Sequence, residues 1–205
     1  MRGLRGKMKI NRSTMILLIV LGVLLAVFVN LYEENQRYEK YLSERLFNLS
    51  SPVNSAIYEI DKILEKNESD FSIEDYESLI FYYNIITKNV QDMEYLASKL
   101  DKEKYQGELR NIPAQFSNQT SFFLFKKVDS IKQGNSNLSN NDAGKLQRMR
   151  EVNSKWINIF EKYSVSEKLK DWGQNGKAIN EAYWVELLYD LSNSTSLTDI
   201  GEMRY

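Results

Sequence analysis

From Met15 to Leu31 the chain carries no charge, and Asn30 is the only polar side chain in the run. A helix of roughly 18 residues rises about 27 Å, close to the thickness of a bilayer's hydrocarbon core. The flanks differ sharply. Arg2, Arg5, Lys7, Lys9 and Arg12 precede the run with no acid among them, whereas Glu33 and Glu34 follow it. Cationic flanks stay on the cytoplasmic side of a membrane. The pattern therefore predicts a cytoplasmic segment at 1–14, a transmembrane helix at 15–32 and an extracytoplasmic remainder. Phe28 and Tyr32 fall where amphipathic rings sit among the outer headgroups.

A removable leader needs small residues at and two positions before its cleavage point. The sequence Ala26-Val27-Phe28-Val29-Asn30-Leu31 supplies branched or aromatic side chains at nearly every such place. There is no cysteine to carry a lipid. The expectation is a retained single-pass anchor. The Asn-, Lys-, Ile- and Ser-rich composition resembles a low-GC bacterial chain, which places the anchor in a bacterial cell membrane. Gly22 and Ala26 form a small-xxx-small pair that fits a homodimer.

Charge sorts the function classes. Five of the 27 basic residues precede the apolar run, leaving 22 against 28 acids beyond it, a net of about −6. That balance argues against nucleic acid, whose phosphates need a basic face. About 173 residues outside the membrane suffice for one domain with a core. Without His or Cys, the common zinc sites, a cysteine nucleophile and a Ser-His-Asp triad are absent. No glycine-rich phosphate loop or calcium loop occurs either. The expectation is a protein that is not an enzyme and carries no cofactor or metal. Glu186, between Trp184-Val185 and Leu187-Leu188, is the one acid in a strongly apolar setting, where burial would raise its pKa.

The remainder reads as all-α, a bundle of about four to five helices over 33–192 with a flexible tail at 193–205. Leu42, Leu46, Leu49, Val53, Ala56, Ile60 and Ile63 step by three and four, as in the seam of a coiled coil or bundle. Pro52 interrupts this stripe, so the helix either kinks there or ends near Leu49 and restarts behind a Ser51 cap. Phe71-Ser72-Ile73-Glu74-Asp75-Tyr76 resembles a capping box with a hydrophobic staple. Behind it Tyr76, Leu79, Tyr83, Ile86, Val90, Met93, Ala97 and Leu100 repeat the three-four step. The short polar link "EKNESD" predicts a long antiparallel hairpin at the base of the bundle.

Asn111-Ile112-Pro113 marks a break, and "SFFLFKKVDSI" predicts a short apolar helix. Ser139 with Asp142 launches a helix bearing Leu146, Met149, Trp156, Phe160 and Tyr163, and a last one covers about 177–192. "SFFLF" and "AYWVELLY" hold more large apolar side chains than one helix face can bury. Phe122, Phe123, Phe125, Tyr183 and Trp184 are accordingly the candidate interaction surface. The function expected is that of a membrane-anchored scaffold binding another membrane or envelope protein. The alternative is a ligand-sensing bundle that modulates a partner receptor or transporter, and a pocket between the helices would support it.

Overall fold

The computed structural model describes residues 11–100, 111–134, 140–163, 165, 167–168 and 183–204. Six α-helices and one short 3-10 turn (Glu68–Asp70) make up these residues, and no strand occurs among them. In chain order they are α1 (Arg12–Leu64), α2 (Ile73–Leu100), α3 (Ile112–Lys132), α4 (Asn140–Lys162), α5 (Tyr183–Ser194) and α6 (Leu197–Arg204). α2 packs along α1 on one side and α3 on the other; α4 closes against α1, α5 against α4, and α6 against α3.

α1 has two halves of different character. Every residue from Arg12 to Tyr38 is exposed, and no part of its most apolar 18-residue window is covered by the rest of the chain. This helix is long and apolar enough to cross a membrane. From Ser43 onward the same helix enters the bundle, burying Leu46, Leu49, Val53, Ala56, Ile57, Ile60 and Leu64. α1 does not end and restart at Leu49. Pro52 lies inside a continuous helix of 53 residues. A mid-helix proline costs about 3 kcal/mol, while each large aliphatic side chain buried on this face contributes about 1.5–3 kcal/mol. Keeping Leu46 and Leu49 in phase with Val53 and Ala56 outweighs the lost backbone bond.

The start of α2 follows its sequence signal closely. The Asp75 N–H donates to Ser72 Oγ at 3.2 Å, and the Ser72 N–H donates to Asp75 Oδ2 at 3.0 Å. Phe71 packs edge-on against Tyr76 with ring centroids 5.5 Å apart, the staple that sets the entry angle of the chain. Lys66 reaches from the link to Asp75 Oδ1 at 2.7 Å, fastening the turn between α1 and α2. Burial disfavours the Asp75 charge, but the bonds from Lys66 and Ser72 outweigh it and hold the carboxyl below its ordinary range. From this turn α1 and α2 run antiparallel, so that residues 45–49 come to face 88–92. The α2 stripe from Tyr76 to Ala97 is buried at each predicted position, and the Leu100 side chain lies outside the described residues.

Two expectations are corrected. The helix after the Asn111 break is not short: Pro113 sits in its first turn, and 21 residues continue to Lys132. The small side chains of Ala114, Ser117, Thr120 and Ser121 are buried along it and let α3 lie close to α2. The tail is not frayed either. Ser196 and Asp199 build a second capping box, with the Ser196 N–H donating to Asp199 Oδ2 at 2.6 Å and the Asp199 N–H to Ser196 Oγ at 3.1 Å. Arg148 of α4 pairs with Asp199 and with Glu202, and Ile200 and Met203 are buried, so α6 is pinned at both its polar and its apolar faces. The expected Ser139 cap and the stretch 177–182 lie outside the described residues.

An aromatic row crosses the core. Tyr83 of α2 meets Phe116 of α3 at 6.4 Å, and Phe116 meets Trp156 of α4 at 5.7 Å, both edge-to-face. The Trp156 indole N–H then donates to Thr195 Oγ1 at 3.0 Å, linking the row to the α5–α6 junction. Asn153, fully buried, donates to the Ile57 carbonyl and to Asp61, both at 3.2 Å, and Arg150 Nε donates to the Leu64 carbonyl at 2.9 Å. α4 thus supplies polar partners at the end of α1, where helix carbonyls otherwise lack them.

Candidate interaction surface

The five candidate aromatics do not form one surface. Phe122 and Phe125 of α3 are 53% and 55% exposed, whereas Phe123 is 7% and Trp184 2% exposed. The Tyr183 side chain lies outside the described residues. Helical geometry explains the division within "FFLF": neighbours are turned by about 100°, so Phe123 and Leu124 point into the bundle while Phe122 and Phe125 share the outer face. Phe123 lies under α4, where the Lys145 ammonium sits 4.8 Å from its ring. Burial lowers the pKa of Lys145, partly opposed by Asp142. Phe123 and Trp184 are therefore core residues and offer nothing to a partner.

The structure adds a third exposed ring that the periodicity of α2 did not single out. Phe81 is 61% exposed, on an outer stripe that also carries Glu77, Asn84 and Lys88. On α3 the matching stripe carries Asn118, Phe122, Phe125 and Asp129. Glu77 of α2 and Lys132 of α3 join the two at 2.9 Å. From this bridge the antiparallel helices lead the same way, about one turn to Phe81 on α2, and about two and three turns to Phe125 and Phe122 on α3. The rings lie on the side of the bundle that α2 and α3 share. Lys126 stacks over Phe122 at 4.5 Å and frames the patch with positive charge.

Among the acids, the expectation placed on Glu186 is corrected: its side chain is exposed. Asp75 and Asp199 are buried with cationic and capping partners, whereas Glu94 of α2, only 6% exposed, has an Oε1 with no hydrogen-bond partner among the described residues. Burial pushes its pKa up to about 7. The sequence held a signal for it. Glu94 stands four residues after Val90 and three before Ala97, on the buried stripe itself. Among the described residues no three carboxylates converge where a metal ion could be held.

A groove of about 360 Å³ opens between α1 and α2 toward the exposed half of α1. Its walls set charged and polar groups beside apolar surface in nearly equal share, with Arg45, Lys88 and Asp92 among the lining residues. Compared with protein-family models, curated proteins and solved structures, the chain matches none.

Proposed function

We propose that this protein is a membrane-anchored, extracytoplasmic helical bundle that acts by binding another membrane or envelope protein rather than by catalysis. Residues 15–32 are the retained anchor, the amino terminus lies in the cytoplasm, and the bundle stands outside on the continuation of the same helix. The absence of charge from Met15 to Leu31, the basic flank before it and the acidic flank after it support this placement.

The observation that carries the binding reading is the outer face of α2 and α3, where Phe81, Phe122 and Phe125 remain more than half exposed while Phe116, Phe123, Trp156, Phe160 and Trp184 are buried. Grouped aromatics left on a surface favour a protein partner, because burying them on association recovers the apolar area that folding left in water. Affinity capture of the full chain from native membranes in mild detergent tests it. A specific partner is expected with the natural chain and is lost with the Phe122→Asp/Phe125→Asp double substitution, while helicity and the unfolding midpoint stay unchanged. Retention of the partner by that variant refutes the reading.

A second reading is favoured by the groove between α1 and α2: a sensor in which a small ligand is held against the helix that continues into the membrane. Binding of a solute by the natural chain, together with no protein partner, would move this reading ahead.

A further inference from the structure

The base of the α1–α2 hairpin holds opposite charges that face one another without pairing. Arg45, Asn48 and Leu49 form the α1 wall of the groove and Lys88, Asn89 and Asp92 the α2 wall. The buried stripes fix the antiparallel register, which sets Arg45 at the level of Asp92. Elsewhere the bundle closes its charges readily: Lys66–Asp75 at 2.7 Å, Lys127–Asp142 at 3.1 Å, Lys132–Glu77 at 2.9 Å and Lys162–Asp190 at 2.6 Å. Among the described residues, Arg45, Lys88 and Asp92 make no ion pair within 4.0 Å, although Lys88 and Asp92 stand one turn apart on the same helix. The open volume between the walls keeps these charges apart.

We propose that this groove binds a small zwitterion, a carboxylate and an ammonium group on one short skeleton, as in a free amino acid. The volume of about 360 Å³ is at the lower end of the range for small-molecule sites, about 300–1,000 Å³. A ligand carboxylate meets the Arg45 guanidinium and the Lys88 ammonium, and charge-assisted bonds of this kind are the stronger ones. The ligand ammonium meets the Asp92 carboxylate. Asn89 donates its amide N–H to the Ile85 carbonyl at 2.8 Å, which holds the side chain and leaves its amide oxygen to accept from the ammonium. Leu49, 8% exposed, supplies an apolar base. Tyr41 and Glu44 stand at the rim, and Glu44 is drawn toward Lys40 at 3.9 Å.

A purely anionic or cationic ligand satisfies half of these groups and faces repulsion from the rest. A dipolar one satisfies both. The site also points to a free solute rather than a lipid headgroup. Arg45 lies 14 residues beyond Leu31, about 21 Å along α1, whereas the headgroup layer extends roughly 5–8 Å past the hydrocarbon. This inference rests on the sensor reading of the same groove and on the proposed membrane placement of α1, and does not depend on the aromatic patch or on any protein partner.

The test is calorimetric titration of the full-length chain in phospholipid-free maltoside micelles with each of the common L-amino acids. Acetate and methylammonium serve as single-charge controls. Saturable one-to-one binding of at least one amino acid is expected, with both controls at least about tenfold weaker. Arg45→Gln and Asp92→Asn, both accessible and outside the core, should each weaken it about tenfold or more without moving the unfolding midpoint. No saturable binding across the panel overturns the proposal. So does binding that neither substitution weakens, binding matched by acetate alone, or binding displaced by added phosphatidylethanolamine.

Discussion

Replacing Glu94 by Gln is expected to stabilise the protein at pH 8 and to have far less effect at pH 4. In the folded chain Glu94 is buried, its Oε1 unpartnered among the described residues, and its pKa stands at about 7 against an ordinary 4.5. Between these values the folded state holds a proton that the unfolded state has released. Stability therefore falls as pH rises from about 4.5 to about 7 and stays lower above that. At 1.36 kcal/mol per pH unit the gap amounts to about 3 kcal/mol. Gln keeps the shape and removes the ionisation. Any cost of burying its amide is the same at every pH and cancels when the difference between variant and natural chain is followed against pH. Urea unfolding of the full chain in mild detergent reports it through the fluorescence of Trp156 and Trp184, both within the core. The difference should rise by about 3 kcal/mol from pH 4 to pH 8. A flat difference would show that the Glu94 carboxyl reaches solvent or a cation, and the argument from burial would fail.

Further outcomes follow from the same packing. Leu49→Ala or Ile86→Ala should each cost about 2–5 kcal/mol in the same unfolding assay, while Asn84→Ala, on the outer face of α2, should cost about 0.5 kcal/mol or less. Ser196→Ala removes the hydroxyl that caps α6 and should cost about 0.5–2 kcal/mol, seen as faster amide exchange over 197–204 than over α2. Phe123→Asp should unfold the bundle, whereas Phe122→Asp should leave circular dichroism and midpoint unchanged; equal effects from the two would contradict the division between core and surface. Protease added to intact protoplasts should destroy a carboxyl-terminal tag, and a surviving tag would reverse the proposed orientation.

What the sequence determined by itself is the part governed by short-range rules. The three-four spacing from Leu46 to Ile60 and from Tyr76 to Ala97 dictates which face of each helix is buried. The Ser72–Asp75 box dictates where α2 begins, because both signals act within one or two turns of chain. The same rule was available for α6 in "SLTD", a Ser-x-x-Asp pattern like "SIED", and its polar surroundings hid it. The apolar run from Met15 to Leu31 likewise fixed a helix able to cross a membrane, since no other side chains are needed to define it. Tertiary structure decided the questions that depend on what lies opposite. Trp184 and Phe123 are covered because α4 and its neighbours pack over them, and Phe122, one residue away, is not. Glu94 is buried on the packed face of α2, while Glu186, set among larger apolar neighbours in sequence, lies on the exposed face of α5. Pro52 was carried through an unbroken α1 by the burial of the stripe on both sides of it. Burial belongs to pairs of surfaces, and the spacing within one helix shows only the face it offers.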